Sequence, residues 1–304
     1  MDISQEQALD CFASDDLIGI GMEADSVRRG LHPEGCVTYV VSRTIAISGD
    51  TEETLQRIAD AEKAGDTTVS LGFDGHIDFA GVEGLLATIR RRFPSLRLHA
   101  LSTREVLALA EKAQLTTEEA VTKLRTAGLD SISGDDLSPA SASDSLSLES
   151  WLNLHRAAHR AGLRSTAGLI FGMGESFEQR VACLFAIRAL QAETAGFTSF
   201  TPLSFKPATS ASGLEEPTAV EYLRTLAVSR MVLDNIPNIE SSSTGQGLKV
   251  VQMALRFGAN DAGTISSEGR KAVFTEEDLR RVVRDAGFRP VERDTLYQTV
   301  FLNN

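Results

Sequence analysis

Strand-like hydrophobic runs alternate with segments of helical periodicity along most of this chain. From Val37 onward, each β-branched or apolar run is followed by a segment in which apolar residues recur every three or four positions. The strand-like runs are 37–47, 67–73, 97–101, 129–132, 164–171, 196–205, 238–242 and 258–265. The helical segments that follow them are 50–64, 79–93, 103–127, 147–161, 175–195, 216–235, 246–257 and 275–286. This order predicts eight consecutive βα units.

Eight βα units in 304 residues predict an α/β fold of the closed (βα)8, TIM-type barrel kind. Such a barrel typically needs about 250 residues, and neither half of the chain stands apart as an open doubly wound sheet would require. We predict a helical extension, a lid or plug, over 1–36 and one barrel domain over 37–304. The Ser- and Asp-rich connection 131–147 predicts a mobile loop. Catalytic groups of such barrels lie at the carboxyl ends of the strands. We therefore expect the functional residues of this chain at those ends.

Charge and composition exclude several classes of protein. The chain has 42 acidic and 30 basic residues, a net charge of −12, which disfavours binding to nucleic acid. No apolar run approaches the ~20 residues that cross a bilayer, and the acidic N-terminus lacks the pattern of a signal peptide. Cys11, Cys36 and Cys183 are too far apart for a disulfide framework or a Cys-x-x-Cys site. We expect a soluble cytoplasmic protein without nucleic-acid or membrane partners.

Two groups of histidines and carboxylates have the residue types of metal ligands, but their predicted positions argue against metal binding. Asp74, His76 and Asp78 follow the second strand, where neighbouring polar residues usually form a solvated loop. His155 and His159 share one face of a helix in the outer ring of the barrel, away from strand ends. No metal site is predicted from either group.

Long segments spread along the chain carry a resemblance to a known family. They are LHPE (31–34), VTYVVSR (37–43), FPSLRLHALS (93–102), AGLDSI (127–132), QAETAGFTSFTPLSFKP (191–207), EYLRTLAVSRMVLDNIPNI (221–239), LRFGANDAGT (255–264) and DAGFRPVERDTLY (285–297). They resemble the radical S-adenosylmethionine enzymes of the futalosine route to menaquinone, dehypoxanthine futalosine cyclase in particular, with aminofutalosine and deazaflavin synthases as cousins. The resemblance covers about residues 26–298.

The sequence departs from that family where the family binds its cofactors. Members carry a Cys-x3-Cys-x2-Cys loop after the first strand, whose three thiolates hold a [4Fe–4S] cluster. Here only TIAISG (44–49) separates Arg43 from the next helix, a stretch shorter than the motif itself and without cysteine. The family's Gly-Gly after the second strand is replaced by LGFD (71–74), and its Gly-rich turn after the fourth strand by SGDD (133–136). We expect no [4Fe–4S] cluster.

The resemblance implies a cofactor-binding segment at the end of the fifth strand. In GLIFGMGE (168–175), Gly168, Ile170, Gly172 and Glu175 match positions that lie along the adenine of S-adenosylmethionine in the family. Glycine lets a flat ring approach the main chain, and the following helix start presents free N–H groups. An adenosyl compound is therefore a candidate ligand. The alternative is a plain strand-to-helix turn that needs Gly for its geometry and Glu175 as a cap.

The resemblance also implies a substrate-facing group. His99 and Ser102 stand on the third strand, and Asn260 and Asp261 are predicted to close the eighth strand. An amide and a carboxylate there could bind sugar hydroxyls, or they could cap the next turn. A strand histidine could equally be a hydrogen-bonded core residue.

Three functions fit these observations. The first is a cluster-free homologue of the futalosine cyclases that binds a nucleoside-like molecule or an active radical S-adenosylmethionine paralogue. The second is an enzyme that uses acid–base groups on a nucleoside-type substrate. The third, a residual cyclase that borrows a cluster from another subunit, is the weakest, because a radical made elsewhere would have to reach a substrate inside this barrel.

Overall fold

The computed structural model describes residues 3–47, 51–64, 66, 68–73, 77–140, 146–207, 214–266, 274–298 and 300–301. The strands are β1 (Cys36–Ile47), β2 (Thr68–Phe73), β3 (Arg97–Ser102), β4 (Ser131–Ser133), β5 (Arg164–Phe171), β6 (Phe197–Ser204), β7 (Asn238–Ile239), β8 (Asp261–Ser266), β9 (Arg289–Arg293) and β10 (Val300–Phe301). The helices are α1 (Gln5–Ala13), α2 (Leu17–Leu31), α3 (Thr51–Ala64), α4 (Phe79–Arg92), α5 (Thr103–Lys112), α6 (Thr117–Thr126), α7 (Leu148–Arg160), α8 (Phe177–Thr194), α9 (Ala219–Val232), α10 (Ser243–Gln246), α11 (Leu248–Ala254) and α12 (Glu276–Asp285).

The first eight strands form a nearly closed parallel barrel, which confirms the predicted fold class. Strands β1 to β7 pair in chain order, β8 pairs with β1, and a bridge between Glu240 and Asp261 joins the β7 side to β8. Strand β1 is long enough to pair with β9 as well, through Cys36–Tyr39. Helices follow the strands around the outside, as right-handed βα units require.

The predicted eighth strand is misplaced. We expected a run near 258–265 that Asn260 and Asp261 would close, but β8 begins at Asp261. The reason is a turn at Gly258, whose φ of 103° ends the preceding segment and redirects the chain. Asn260 and Asp261 therefore lie at the amino end of β8, not at the end where barrel chemistry is usually found. Strands β9 and β10 were not predicted.

Helices α1 and α2 pack on the outer helical layer of the barrel. Helix α1 contacts α8 and α9, and α2 contacts α9. Phe12 stacks on Phe177 with ring centroids 5.0 Å apart, and a side chain at Gly21 would collide with the Phe257 ring. The boundary between a terminal extension and the barrel at residue 36 stays a prediction.

The connection predicted to be a mobile loop is packed where the structure describes it. Backbone N–H groups of Gly168 and Ile170 on β5 donate to the carbonyls of Gly134 and Leu137, at 3.0 and 2.8 Å. Leu137 is fully buried. Residues 141–145 lie outside the described residues.

None of the helices in the described part of the chain has both the length and the apolar character that a bilayer crossing needs.

Arg230 joins α9 to the turns that precede β7 and β8. Its guanidinium is fully buried and donates to the carbonyls of Gly258, Ile236 and Pro237 and to Asn260 Oδ1, at 2.9, 3.1, 3.3 and 2.7 Å. Burial lowers the pKa of Arg230 to about 9. A buried cation is tolerated because these acceptors satisfy its N–H groups.

We predict that Arg230→Met lowers the free energy of unfolding by about 3 kcal/mol or more, because several buried acceptors lose their donor at once. Urea denaturation checks this. Arg281→Met on exposed α12 is the matched control and should change stability by less than about 0.5 kcal/mol. Equal effects of the two substitutions would contradict the assigned role.

Candidate functional site

Small and polar side chains line the inside of the barrel. Ile45, Leu71 and Leu98 belong to the apolar core between strands and helices. Because neighbouring strand residues point to opposite faces, the alternate positions face inward. They include Ser70, His99, Ser131, Thr166 and Thr201. Barrel interiors are commonly filled by layers of Val, Ile and Leu, so this interior is suited to a polar molecule instead.

His99 lies in this interior as a neutral hydrogen-bonding group. Its Nδ1 atom is 2.8 Å from the Ser131 hydroxyl on the neighbouring strand. Burial and then the nearby Arg293 guanidinium lower the pKa of His99 to about 4. The imidazole is therefore neutral near pH 7 and offers one donor and one acceptor.

Ser102 and Asn260 are occupied by bonds within the protein. The Ser102 hydroxyl caps α5 by accepting from the Glu105 N–H at 3.3 Å. Asn260 Oδ1 accepts from Arg230 and from the Ile239 N–H, while its Nδ2 donates to Asn238. A role for either side chain in binding substrate stays a prediction, and their contacts describe a helix cap and a core amide.

Asp261 and Arg293 form a buried ion pair at the amino end of the barrel. Arg293 Nε and Nη2 donate to the two oxygens of Asp261 at 2.6 and 2.8 Å, and Thr38 also donates to this carboxylate. The two side chains are 0% and 3% exposed. Glu240 lies 3.9 Å from the same guanidinium. The sequence singled out Asp261 but gave no sign of Glu240 or Arg293, because no local spacing links them.

Two further carboxyl groups in the interior are shifted toward the protonated form. Burial, and then Asp261, raise the pKa of Glu240 to about 8, and its side chain is 18% exposed. Burial also raises the pKa of Asp135, which accepts from Thr166 Oγ1 at 3.0 Å. We call His99, Asp135, Glu240, Asp261 and Arg293 the interior cluster. These groups influence one another's pKa values across the barrel.

The glycines of the predicted adenine-binding segment face atoms of the chain itself. A Cβ at Gly168 would lie 2.8 Å from the Asp135 Cα, so this glycine lets the loop after β4 approach β5. Gly172 has a φ of 93°, and a Cβ there would lie 2.2 Å from Pro217 Cγ. Ile170, on the inner face between them, is half-buried. An adenine on this segment would therefore have to lie over Ile170.

Glu175 holds the turn after β5 together. Its fully buried carboxylate accepts from the N–H groups of Gly172 and Met173 at 2.7 and 2.8 Å, and from Arg180 Nε at 2.7 Å. Arg180 also donates to Glu221 at 2.6 Å.

Glu175 therefore stabilises the turn, whereas the cap of α8 is Ser176, whose hydroxyl accepts from the Gln179 N–H at 3.3 Å. The expected capping role of Glu175 is thus wrong, although its role in the geometry of the turn is structural. Whether the segment also binds an adenosyl compound stays a prediction.

The two groups with the composition of metal ligands have other contacts. His155 lies within 3.1 Å of Thr103 and 2.9 Å of Ser165, and His159 lies 2.8 Å from the same Ser165 hydroxyl. Asp78 caps α4, while residues 74–76 are not among the described residues. Across the described ranges, no three His, Cys, Asp or Glu side chains form a group that could hold a metal ion.

The three cysteines are free thiols on three separate elements. Cys11 is on α1, Cys36 is the first residue of β1, and Cys183 is buried in α8. Burial, and then Glu175, raise the pKa of Cys183 to about 11.

Comparison with known proteins shows similarity along nearly the whole chain. The family model for the CofH/MqnC C-terminal region matches residues 194–303. The cyclic dehypoxanthine futalosine synthase of Streptomyces coelicolor is 31% identical over 346 aligned residues, covering 99% of this chain and 86% of that protein. The corresponding protein of Halalkalibacterium halodurans is 29% identical, with coverage of 98% and 91%.

A second group of relatives has a different enzymatic name. The 5-amino-6-(D-ribitylamino)uracil–L-tyrosine 4-hydroxyphenyl transferase 2 of Methanosarcina mazei is 31% identical, covering 87% of this chain and 80% of that protein. Among solved structures, the crystal structure of methylornithine synthase matches with a TM-score of 0.71 over 95% of this chain and 94% of that one. At 14% identity, this last similarity concerns the fold alone.

The low pKa of His99 predicts a specific dependence of stability on pH. The unfolded chain protonates this histidine near pH 6.5, whereas the folded protein does so only at about pH 4. Between these values the unfolded state binds more protons, so stability falls as the pH is lowered through this window. His99→Gln removes that contribution. In urea denaturation, the variant should lose less stability than the unaltered protein between about pH 7 and about pH 5. Equal losses would contradict the assigned environment.

Proposed function

Because this chain belongs to the CofH/MqnC family of radical S-adenosylmethionine enzymes, we propose that it is a member without radical chemistry that binds a nucleoside-like molecule inside its barrel. The observation that carries the proposal is the position of its three thiols. A cluster needs three thiolates close together. Cys11, Cys36 and Cys183 stand on an outer helix, at the amino end of β1 and within α8.

The chemistry of the thiols also fails to fit a [4Fe–4S] cluster. Cys183 is buried with its pKa raised to about 11, so the thiolate that binds iron is disfavoured there. Cys36 contacts Arg289 at the end of the barrel opposite to the carboxyl ends of the strands. The alignment of 346 residues with the Streptomyces relative is longer than this 304-residue chain, so that protein has segments without a counterpart here. The chemistry of the thiols and the length of this alignment both support the loss of the cluster loop.

The interior cluster supports a nucleoside-like ligand. A nucleoside presents hydroxyl groups, ring nitrogens and a flat base, and needs donors and acceptors along its length. Neutral His99 has its Nδ1 atom bonded to Ser131, so its Nε2 atom is the one that supplies a donor or an acceptor, and Glu240, whose pKa is raised to about 8, can donate as an acid. Ile170 supplies an apolar surface for a base. S-adenosylmethionine should bind less well, because the cluster that would hold its amino and carboxylate groups is missing.

An active enzyme with acid–base chemistry is the second candidate. The observation in its favour is the pair of inward groups whose pKa values differ: His99 at about 4 and Glu240 at about 8. A group with a pKa near the working pH can serve as a general acid or base. Turnover of a nucleoside during incubation would select this function over binding alone.

The same proposal includes two further statements: the protein binds an active radical S-adenosylmethionine paralogue, and it is located in the cytoplasm. The first is suggested by family membership, and the second by three unpaired thiols, which are usual in reducing compartments.

The first test is anaerobic reconstitution with iron and sulfide. We predict no broad visible absorption from iron–sulfur charge transfer and no stoichiometric iron, because the thiolates are dispersed. The cyclic dehypoxanthine futalosine synthase of Streptomyces coelicolor, treated in parallel, is the positive control. Nearly four irons per chain would contradict the proposal.

The second test is calorimetric titration with adenosine, futalosine-type nucleosides and S-adenosylmethionine. We predict that at least one nucleoside binds about tenfold more tightly than S-adenosylmethionine, a difference of about 1.4 kcal/mol. His99→Ala should weaken that binding by about 1–3 kcal/mol through loss of a hydrogen bond. Ile170→Trp should abolish it by filling the interior.

Val220→Trp on the exposed start of α9 is the matched control for added bulk. Gly172 is unsuitable for this purpose, because a side chain there would first collide with Pro217. Tighter binding of S-adenosylmethionine, or unchanged nucleoside binding in Ile170→Trp, would refute the placement of the ligand.

A further inference from the structure

A cavity lies at the amino end of the barrel. It has a volume of about 610 Å³ and is lined by residues at the amino ends of five strands, namely Cys36, Thr38, Arg164, Phe197, Thr198, Asn238, Arg289 and Val291. Ligand pockets commonly have volumes of ~300–1,000 Å³. Its lining shares no residue with the interior cluster or with the 168–175 segment. We call it the lower cavity.

The C-terminal segment 294–298 forms one wall of the lower cavity and is fixed in place. The Thr295 N–H donates to Thr68 Oγ1 at 3.3 Å, and the Gln298 N–H donates to Asp294 at 2.9 Å. Arg97 donates to the Gln298 side chain at 3.0 Å. The wall is therefore built by specific bonds before any ligand arrives, which reduces the entropic cost of binding.

Two arginines give the lower cavity positive charge. Arg164 donates through Nη1 to the Ala195 carbonyl, and Arg289 donates through Nε and Nη2 to the Cys36 sulfur at 3.4 and 3.0 Å. Neither guanidinium forms an ion pair with a carboxylate of the described residues, so most of their N–H donors remain open. Glu34 is the carboxylate in the lining, and it lies 3.4 Å from His32 Nδ1.

The remaining walls are largely apolar. Phe197, Val291 and Leu296 are buried side chains of the lining, and Pro237 and the Tyr297 ring complete this surface. The polar side chains deeper in the cavity are already bonded: Asn238 donates to the Thr198 carbonyl and Thr198 to the Ser165 carbonyl. The groups left for a ligand are therefore the N–H donors of the two arginines and the apolar surface beside them.

We propose that the lower cavity binds a small organic anion in which a carboxylate or a phosphate ester is attached to a flat apolar body. The planar guanidinium of arginine matches both anionic groups through paired hydrogen bonds. The aromatic and aliphatic walls accept the apolar body. The lining of this site contains none of the residues of the nucleoside site proposed above.

Titration of the full chain with three probes of similar shape tests the proposal. Benzoate and phenyl phosphate carry the anion, and benzamide is their uncharged counterpart. Ligand-observed NMR should show benzoate or phenyl phosphate binding at least about tenfold more tightly than benzamide. Whichever anion binds more tightly identifies the preferred head group. Binding of benzamide as tight as that of both anions, or no binding of either anion, would overturn the proposal.

Charge substitutions locate the binding. Arg164→Gln and Arg289→Gln should each weaken binding of the preferred anion by about fivefold or more, whereas Glu34→Gln should strengthen it by about twofold, because it removes the negative charge in the lining. Arg281→Gln on exposed α12 is the matched control and should leave the affinity unchanged. These arginines are on the surface, so folding is retained and can be confirmed by thermal melting.

Two outcomes would reject this location of the anion. One is an unchanged affinity in both arginine variants, and the other is equal weakening by Arg281→Gln, which would mean nonspecific charge attraction. A nucleoside titration repeated with the preferred anion present should give the same affinity as without it. A failure of nucleoside binding would thus leave the result for the lower cavity standing.

Discussion

The buried pair of Asp261 and Arg293 is the interaction on which the inside of this barrel depends. Two ions taken out of water are stabilised only when geometry and additional hydrogen bonds offset the desolvation, and here two parallel bonds and the Thr38 hydroxyl do so. The pair joins β8 to β9, and the Tyr297 ring lies 3.8 Å above the guanidinium. It therefore anchors the C-terminal segment against the strands. Burial and then the Asp261 carboxylate raise the pKa of Glu240, although Glu240 lies 3.9 Å from the same guanidinium.

The same pair separates two environments of opposite character. On one side, the carboxyl groups of Asp135 and Glu240 make the interior acidic, and burial favours their protonated forms. On the other side, Arg164 and Arg289 are open guanidiniums beside an apolar wall. A ligand with many neutral donors and acceptors suits the first environment, and an organic anion suits the second. The two proposed sites therefore differ in chemistry.

The fold could be predicted from the sequence because alternation of strand and helix is a local signal. Arg164–Phe171 was predicted to the residue, since its apolar run is bounded by Gly162 and Gly172. The start of β8 was missed because the turn at Gly258 is fixed by Arg230, which is distant in sequence. For the site, the family resemblance implied a substrate-facing position for His99, and the structure places this side chain inside the barrel. Glu240 and Arg293 were missed because they meet Asp261 only when β7, β8 and β9 come together.

The segment 168–175 shows that the presence of a family motif does not by itself imply that the family's ligand binds. In this chain Gly168 makes room for Asp135, Gly172 adopts a φ of 93° beside Pro217, and the Glu175 carboxylate is bonded to Arg180. Each of these residues is therefore needed by the fold, whether or not an adenosyl group binds. Of the four residues predicted to bind the cofactor, Ile170 has the side chain that no such contact explains, since its backbone alone bonds to Leu137. A ligand over this strand must contact the side chain of residue 170. The effect of the size of that side chain on ligand affinity therefore distinguishes a binding surface from a structural turn.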